Sequence, residues 1–173
     1  AAGATGVVTF VGASQGSQSN LNTFVNVGAP IGVQANDLLI AVVTLNSKPP
    51  FSVNAMAEPP AGWTLLSDQV GGGAMGFMTY YKIANASEPG TYTFIHKEPG
   101  TPNLIDSRSA VVISAYRNVD VATPITASGG TSTSGYTSAN LNYGGNGMLV
   151  YAVGSPVAGQ EWITPTGWSF AGS

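Results

Sequence analysis

Leu38-Leu39-Ile40-Ala41-Val42-Val43-Thr44-Leu45 is nearly continuous in apolar residues, with Asn36-Asp37 before it and Asn46 to Pro50 after it. A short apolar run closed at both ends by turn residues is the pattern of a strand buried on both faces, so the spacing predicts the centre of a sheet here. Ser109 to Tyr116 (SAVVISAY) and Met148 to Val153 (MLVYAV) have the same character, the second following a turn at Gly144 to Gly147.

Outward from these, Val7 to Val11 is a first strand candidate, and Thr23 to Val27 alternates like a half-buried strand. Between them Gly12 to Asn22 is polar and without hydrophobic period, which predicts a loop. Trp63 to Leu66 begins a short strand, Gly71-Gly72-Gly73 breaks the chain, and Phe77 to Ile83 (FMTYYKI) favours extended structure through its aromatic and β-branched residues. Glu88-Pro89-Gly90 fits a tight turn, with proline setting its φ and glycine supplying a positive one. It predicts Phe77 to Ile83 and Thr91 to His96 as antiparallel neighbours. Pro124-Ile125 starts a loop or an edge strand. About nine or ten short strands punctuated by turns predict an all-β, two-sheet antiparallel β-sandwich, in one domain over residues 1–173.

Of the 173 residues 43% are hydrophobic but only 8% are charged, against about a quarter in typical soluble domains, so uncharged polar groups must cover the surface. With 23 Gly and 11 Pro the chain favours strands and turns over long helices. Eight acids and five bases give a net charge of −3 with no Lys/Arg cluster, which argues against nucleic acid as a partner. Cysteine is absent, so disulfides and thiolate metal sites are excluded. No apolar run approaches the roughly 20 residues of a membrane helix, so no membrane insertion is expected, and Ala1-Ala2-Gly3 lacks the layout of a signal peptide.

Two stretches echo each other. Asn36 to Val43 leads to Pro60-Ala61-Gly62-Trp63-Thr64, and Gly147 to Val153 leads to Pro165-Thr166-Gly167-Trp168-Ser169. A glycine-permitted bend followed by an indole suits a core cap, the role expected of Trp63 and Trp168. Several strands follow the first unit, whereas five residues follow the second. The expectation is a chain that continues past Ser173, or an edge that another chain completes by donating a strand.

Catalytic patterns fare poorly. Gly12-Ala13-Ser14-Gln15-Gly16 has the letters of a nucleophile elbow, but no helical period follows it. Gly71 to Gly76 has the letters of a dinucleotide loop, but a strand follows rather than a helix whose amino end could hold a pyrophosphate. His96 is the sole histidine, and alternation places it on the face of Tyr92 and Phe94, partly buried. Asp37, Glu58, Asp68, Glu88, Glu98, Asp106, Asp120 and Glu161 are scattered singly. Arg117 and Asp120 flank a turn and are expected to pair with each other. Asn85-Ala86-Ser87 fits a glycosylation sequon that carries little weight alone. No catalytic, cofactor-binding or metal-binding residue is expected, and no cofactor. Tyr136, Tyr143 and Trp162, in loop-like context, are the candidates for contact with a glycan or a partner.

Ala35-Asn36-Asp37-Leu38-Leu39-Ile40-Ala41, Pro59-Pro60-Ala61-Gly62-Trp63-Thr64, Tyr81-Lys82-Ile83-Ala84, Glu88-Pro89-Gly90-Thr91-Tyr92-Thr93-Phe94 and Ala115-Tyr116-Arg117-Asn118-Val119-Asp120 through Pro124-Ile125, taken in order, resemble a β-sandwich domain of phage virion proteins and large bacterial surface proteins. The resemblance implies a jelly-roll or immunoglobulin-like module and carries over no catalytic residue. It implies a non-enzymatic structural or binding protein of the virion, a capsid decoration or a tail or head fibre domain. Its expected partners are other virion or surface-assembly subunits, copies of itself in a homo-oligomer, and a host-surface glycan. A bacterial or archaeal surface adhesin or extracellular filament subunit built by strand exchange is the alternative, and a carbohydrate-binding module the third.

Overall fold

The computed structural model describes residues 6–47, 56–71, 75–98, 100–126, 128 and 150. Among them there are eight strands and no helix: β1 (Thr9–Asn22), β2 (Phe24–Gly28), β3 (Leu38–Ser47), β4 (Met56–Glu58), β5 (Thr64–Gly71), β6 (Met75–Ile83), β7 (Thr91–Lys97) and β8 (Ser107–Arg117). They form two antiparallel sheets, a five-stranded one in the order β1-β8-β3-β6-β5 and a three-stranded one in the order β2-β7-β4. The pairings are nested in the sequence: β1 lies on β8, β2 on β7 and β3 on β6, with the odd-numbered pairs in one sheet and the β2–β7 pair in the other.

Side-chain alternation builds the layer between the sheets. In β7, Tyr92, Phe94 and His96 point inward while Thr91, Thr93 and Ile95 face out, and in β2 Val25 and Val27 do the same. They meet Leu39, Ala41, Val43 and Leu45 of β3, Met78 and Tyr80 of β6, and Val111, Ile113 and Ala115 of β8 in one continuous apolar core. Leu38 and Ile40, of opposite parity, are buried as well, because Tyr116 and the flanking Val8, Tyr81, Ile83, Val119, Ile125 and Val150 gather on the far side of the large sheet. At its Leu38 end β3 therefore has apolar neighbours on both faces, the arrangement that its sequence predicts.

Three expectations need correction. Gly12 to Asn22 is not a loop but most of β1, which pairs with β8 from Thr9↔Arg117 to Asn22↔Ser107. From Gly12 to Gln18 the half-buried positions are Gly12, Ser14, Gly16 and Gln18, a period of two carried by small and polar residues, which hydrophobicity cannot register. The smallness has a cause: a Cβ on Gly16 would lie 2.0 Å from the Asn26 carbonyl oxygen of β2, so only glycine allows the two backbones so close. Secondly, β6 and β7 are not neighbours. β6 pairs with β3 and β5, while β7 pairs with β2 and β4 in the other sheet, so the segment with Glu88-Pro89-Gly90 crosses between sheets. Thirdly, the three-residue β4 was not expected at all. Ala57 at its middle is fully buried, and its carbonyl accepts the Tyr80 hydroxyl from the opposite sheet. Met148 to Val153, expected as a further strand, lies outside the described residues apart from Val150.

Candidate functional site

The polar side chains gather in a few clusters, and each is tied to backbone. At one corner Asn36 takes a positive φ of 71° and Asp37 is 1% exposed. Arg117 donates from Nε to Asp37 Oδ1 at 2.9 Å and from Nη2 to Oδ2 at 2.7 Å, a two-pronged pair that also receives the Gln34 backbone N–H at 2.8 Å. Nη2 reaches the Gly32 carbonyl at 2.8 Å as well. The guanidinium thus joins the end of β8 to the loop entering β3. Arg117 does not pair with Asp120, as the sequence suggested. Asp120 instead accepts from the Ala122 N–H and the Thr123 hydroxyl, both at 3.0 Å, and so closes its own turn.

A second cluster sits where the chain crosses from β6 to β7. Glu88 accepts from Lys82 Nζ at 2.8 Å, from the Asn85 N–H at 2.7 Å and from the Tyr92 hydroxyl. Burial pushes the Glu88 carboxyl up, but the bonds from Lys82, Tyr92 and Asn85 together outweigh it and hold the group below its ordinary range. Lys82 Nζ also lies 5.6 Å from the centre of the Tyr92 ring. Trp63 packs edge-on against Tyr92 at 5.3 Å and tilted against Phe94 at 5.9 Å, half-buried beside the main core.

His96 is fully buried, more so than expected, beside the corner where the chain passes from β1 to β2. Elsewhere Glu98 accepts from Asn103 Nδ2 at 3.0 Å and from the Thr101 hydroxyl, and Glu58 pairs with Lys97 at the surface. Ser14 donates its hydroxyl to the Gly28 carbonyl across the β1–β2 seam, within a strand and with no base beside it. The Asn85 side chain is spent on the Ser87 N–H at 2.7 Å. Among the described residues no three His, Cys, Asp or Glu side chains gather as a metal site. An open groove of about 370 Å³ is lined by Thr64, Leu65, Leu66, Tyr81, Ile125, Thr126 and Ser128, with no acidic or basic side chain among them.

Tyr136, Tyr143, Trp162 and Trp168 lie outside the described residues. The cluster at Asp37 does not show in the sequence because its members are separated in the chain, Arg117 from Asp37 by 80 positions, whereas the Glu88 cluster is local, within six positions of Glu88, and is hidden where Glu88-Pro89-Gly90 reads as a hairpin turn. The local signal for the first was Asn36-Asp37 ahead of an apolar run. Comparisons with family models, with curated proteins and with solved structures find nothing that matches this chain.

Proposed function

We propose that this chain is a non-enzymatic jelly-roll module of a phage virion, displayed as a capsid decoration or a tail or head fibre domain among other virion subunits and copies of itself. The jelly-roll assignment is supported by the nested pairing of strands. A ribbon that pairs β1 with β8, β2 with β7 and β3 with β6, and puts successive pairs in alternate sheets, follows the pairing pattern of a rolled double sheet. β5 departs from the ideal roll by staying beside β6 in the large sheet.

The observation that carries the non-enzymatic reading is where the chemistry-bearing groups are spent. Asp37, Glu88, Glu98, Asp120, Arg117, Lys82 and Ser14 hold loops, corners and seams, and they do not converge on a cleft. The low charge fits a surface that works inside an assembly. A second reading, a surface filament subunit joined by strand exchange, draws on one feature: among the described residues no strand lies beyond β5 or β4, so each sheet ends in an edge that could take a strand.

Mass spectrometry of intact particles from the protein's source separates these readings. Co-isolation with capsid or tail proteins is the expected result. Isolation as a polymer of this chain alone would replace the virion reading with the filament one, and a free monomer binding glycans at micromolar to millimolar concentration would replace both.

A further inference from the structure

We propose that His96 is an acid-sensitive latch on the corner between the two sheets, bonded to it through Nδ1 as a neutral ring and destabilising the fold when acid places a charge on its buried imidazole. The corner is the Asn22-Thr23 step, where the chain leaves β1 in the large sheet and enters β2 in the small one. His96 takes both of its carbonyls. The backbone N–H of His96 donates to Thr23 O at 2.7 Å, and ring Nδ1 lies 2.8 Å from Asn22 O. A carbonyl can only accept, so Nδ1 must carry the proton, and in the neutral ring Nε2 is then a bare acceptor. Nε2 is buried and has no hydrogen-bond partner among the described residues.

Acid would place a second N–H, and a full charge, on that atom. Among the described residues the new donor has no hydrogen-bond partner, and with His96 0% exposed the charge is cut off from bulk water. The surroundings on each side offer little compensation. Ala57 is its cross-strand neighbour on β4, Asn22 and Thr23 hold it from the corner, and Ser107 stands opposite Asn22 on β8. None of these titrates. Asp106, just before β8, is the carboxylate whose charge reaches the ring; it favours the imidazolium, as does the Asn22 carbonyl, but burial outweighs both and holds the ring below its ordinary 6.5. The ladder beside the latch is already interrupted, since β1 and β8 change register between Gln18 and Asn22, which leaves that end of β1 few other ties.

The direction in pH follows. Well above 6.5 the ring is neutral whether folded or unfolded and its titration adds no pH dependence to stability. Below 6.5 the unfolded chain takes up a proton that the folded one refuses, so the unfolding constant rises toward tenfold per pH unit until the folded ring itself titrates.

Because His96 is the only histidine, imidazole 15N NMR of the whole chain reports on it without ambiguity. At pH 7.5 the expected spectrum shows protonated Nδ1 and bare Nε2, and below pH 6.5 the folded ring titrates at lower pH than the unfolded one while unfolding in urea occurs at progressively lower concentration. His96→Asn, which keeps a donor near the Nδ1 position but cannot titrate, is expected to lose that pH dependence. A folded ring that titrates at or above 6.5, or that carries its proton on Nε2 at neutral pH, overturns the latch. So does a His96→Asn variant with the wild-type slope of stability against pH. If that variant does not fold, the wild-type ring titration decides alone.

Discussion

The two faces of the five-stranded sheet are built from the same strands, yet they hold unequal cores. On the inner face Leu39, Ala41, Val43 and Leu45 meet the small sheet along the whole length of β3. On the outer face burial is confined to the Leu38–Ile40 end, under Tyr116 and the loop residues Val119, Ile125 and Val150, and Val112 farther along β8 is 44% exposed. Among the described residues an apolar run of eight thus serves one sheet-on-sheet interface and one local cluster to which Tyr81 and Ile83 of β6 and residues outside the strands contribute.

Adjacent substitutions test this inequality. Leu39→Ala, which opens a cavity in the inner core, is expected to cost about 3 kcal/mol in urea unfolding. Gly16→Ala attacks the same core from its seam: the new methyl group collides with the Asn26 carbonyl and must part β1 from β2, at a cost of about 2.5 kcal/mol. Ile40→Ala, one position along from Leu39 but on the outer face, is expected to cost about 2 kcal/mol, because the loop residues around it can settle into part of the space. Equal losses at Leu39 and Ile40 would make the outer cluster a full second core. Val112→Thr, at the open end of the outer face, is expected to change stability by less than about 0.5 kcal/mol. A larger loss there would show that something covers this end of the sheet in solution.

The sequence revealed those elements whose construction rests on apolar residues. The cores of β2, β3, β7 and β8 followed from period or run length, and the two-layer all-β class followed with them. β1 escaped because its requirement is for small size: Gly12 and Gly16 face backbone oxygens of Ile31 and Asn26, a constraint set by a segment that sequence periodicity does not connect to it. β4 escaped because three residues are too few to show a period, and the partners of Ala57 come from β6 and β7. The misplacement of β6 beside β7 came from treating Glu88-Pro89-Gly90 as a hairpin turn, when Glu88 instead organises a longer crossing through Lys82, Asn85 and Tyr92. For the same reason the ionic corner at Asp37 could be anticipated as a turn but not as an Arg117 site.

The nested pairing also sets an order of events during folding. Of the strand pairs among the described residues, only β5–β6 joins neighbours in the sequence; β3–β6, β2–β7 and β1–β8 each close a successively longer stretch of chain around it. Long closures are entropically costly and slow, so folding on the millisecond-to-second scale of sandwich proteins is expected, starting at the hairpin and working outward. β1, which closes the widest loop, arrives last. Until then β8 presents an open flank to any other copy of the chain, and crowding during synthesis would favour exchange of that one strand between molecules.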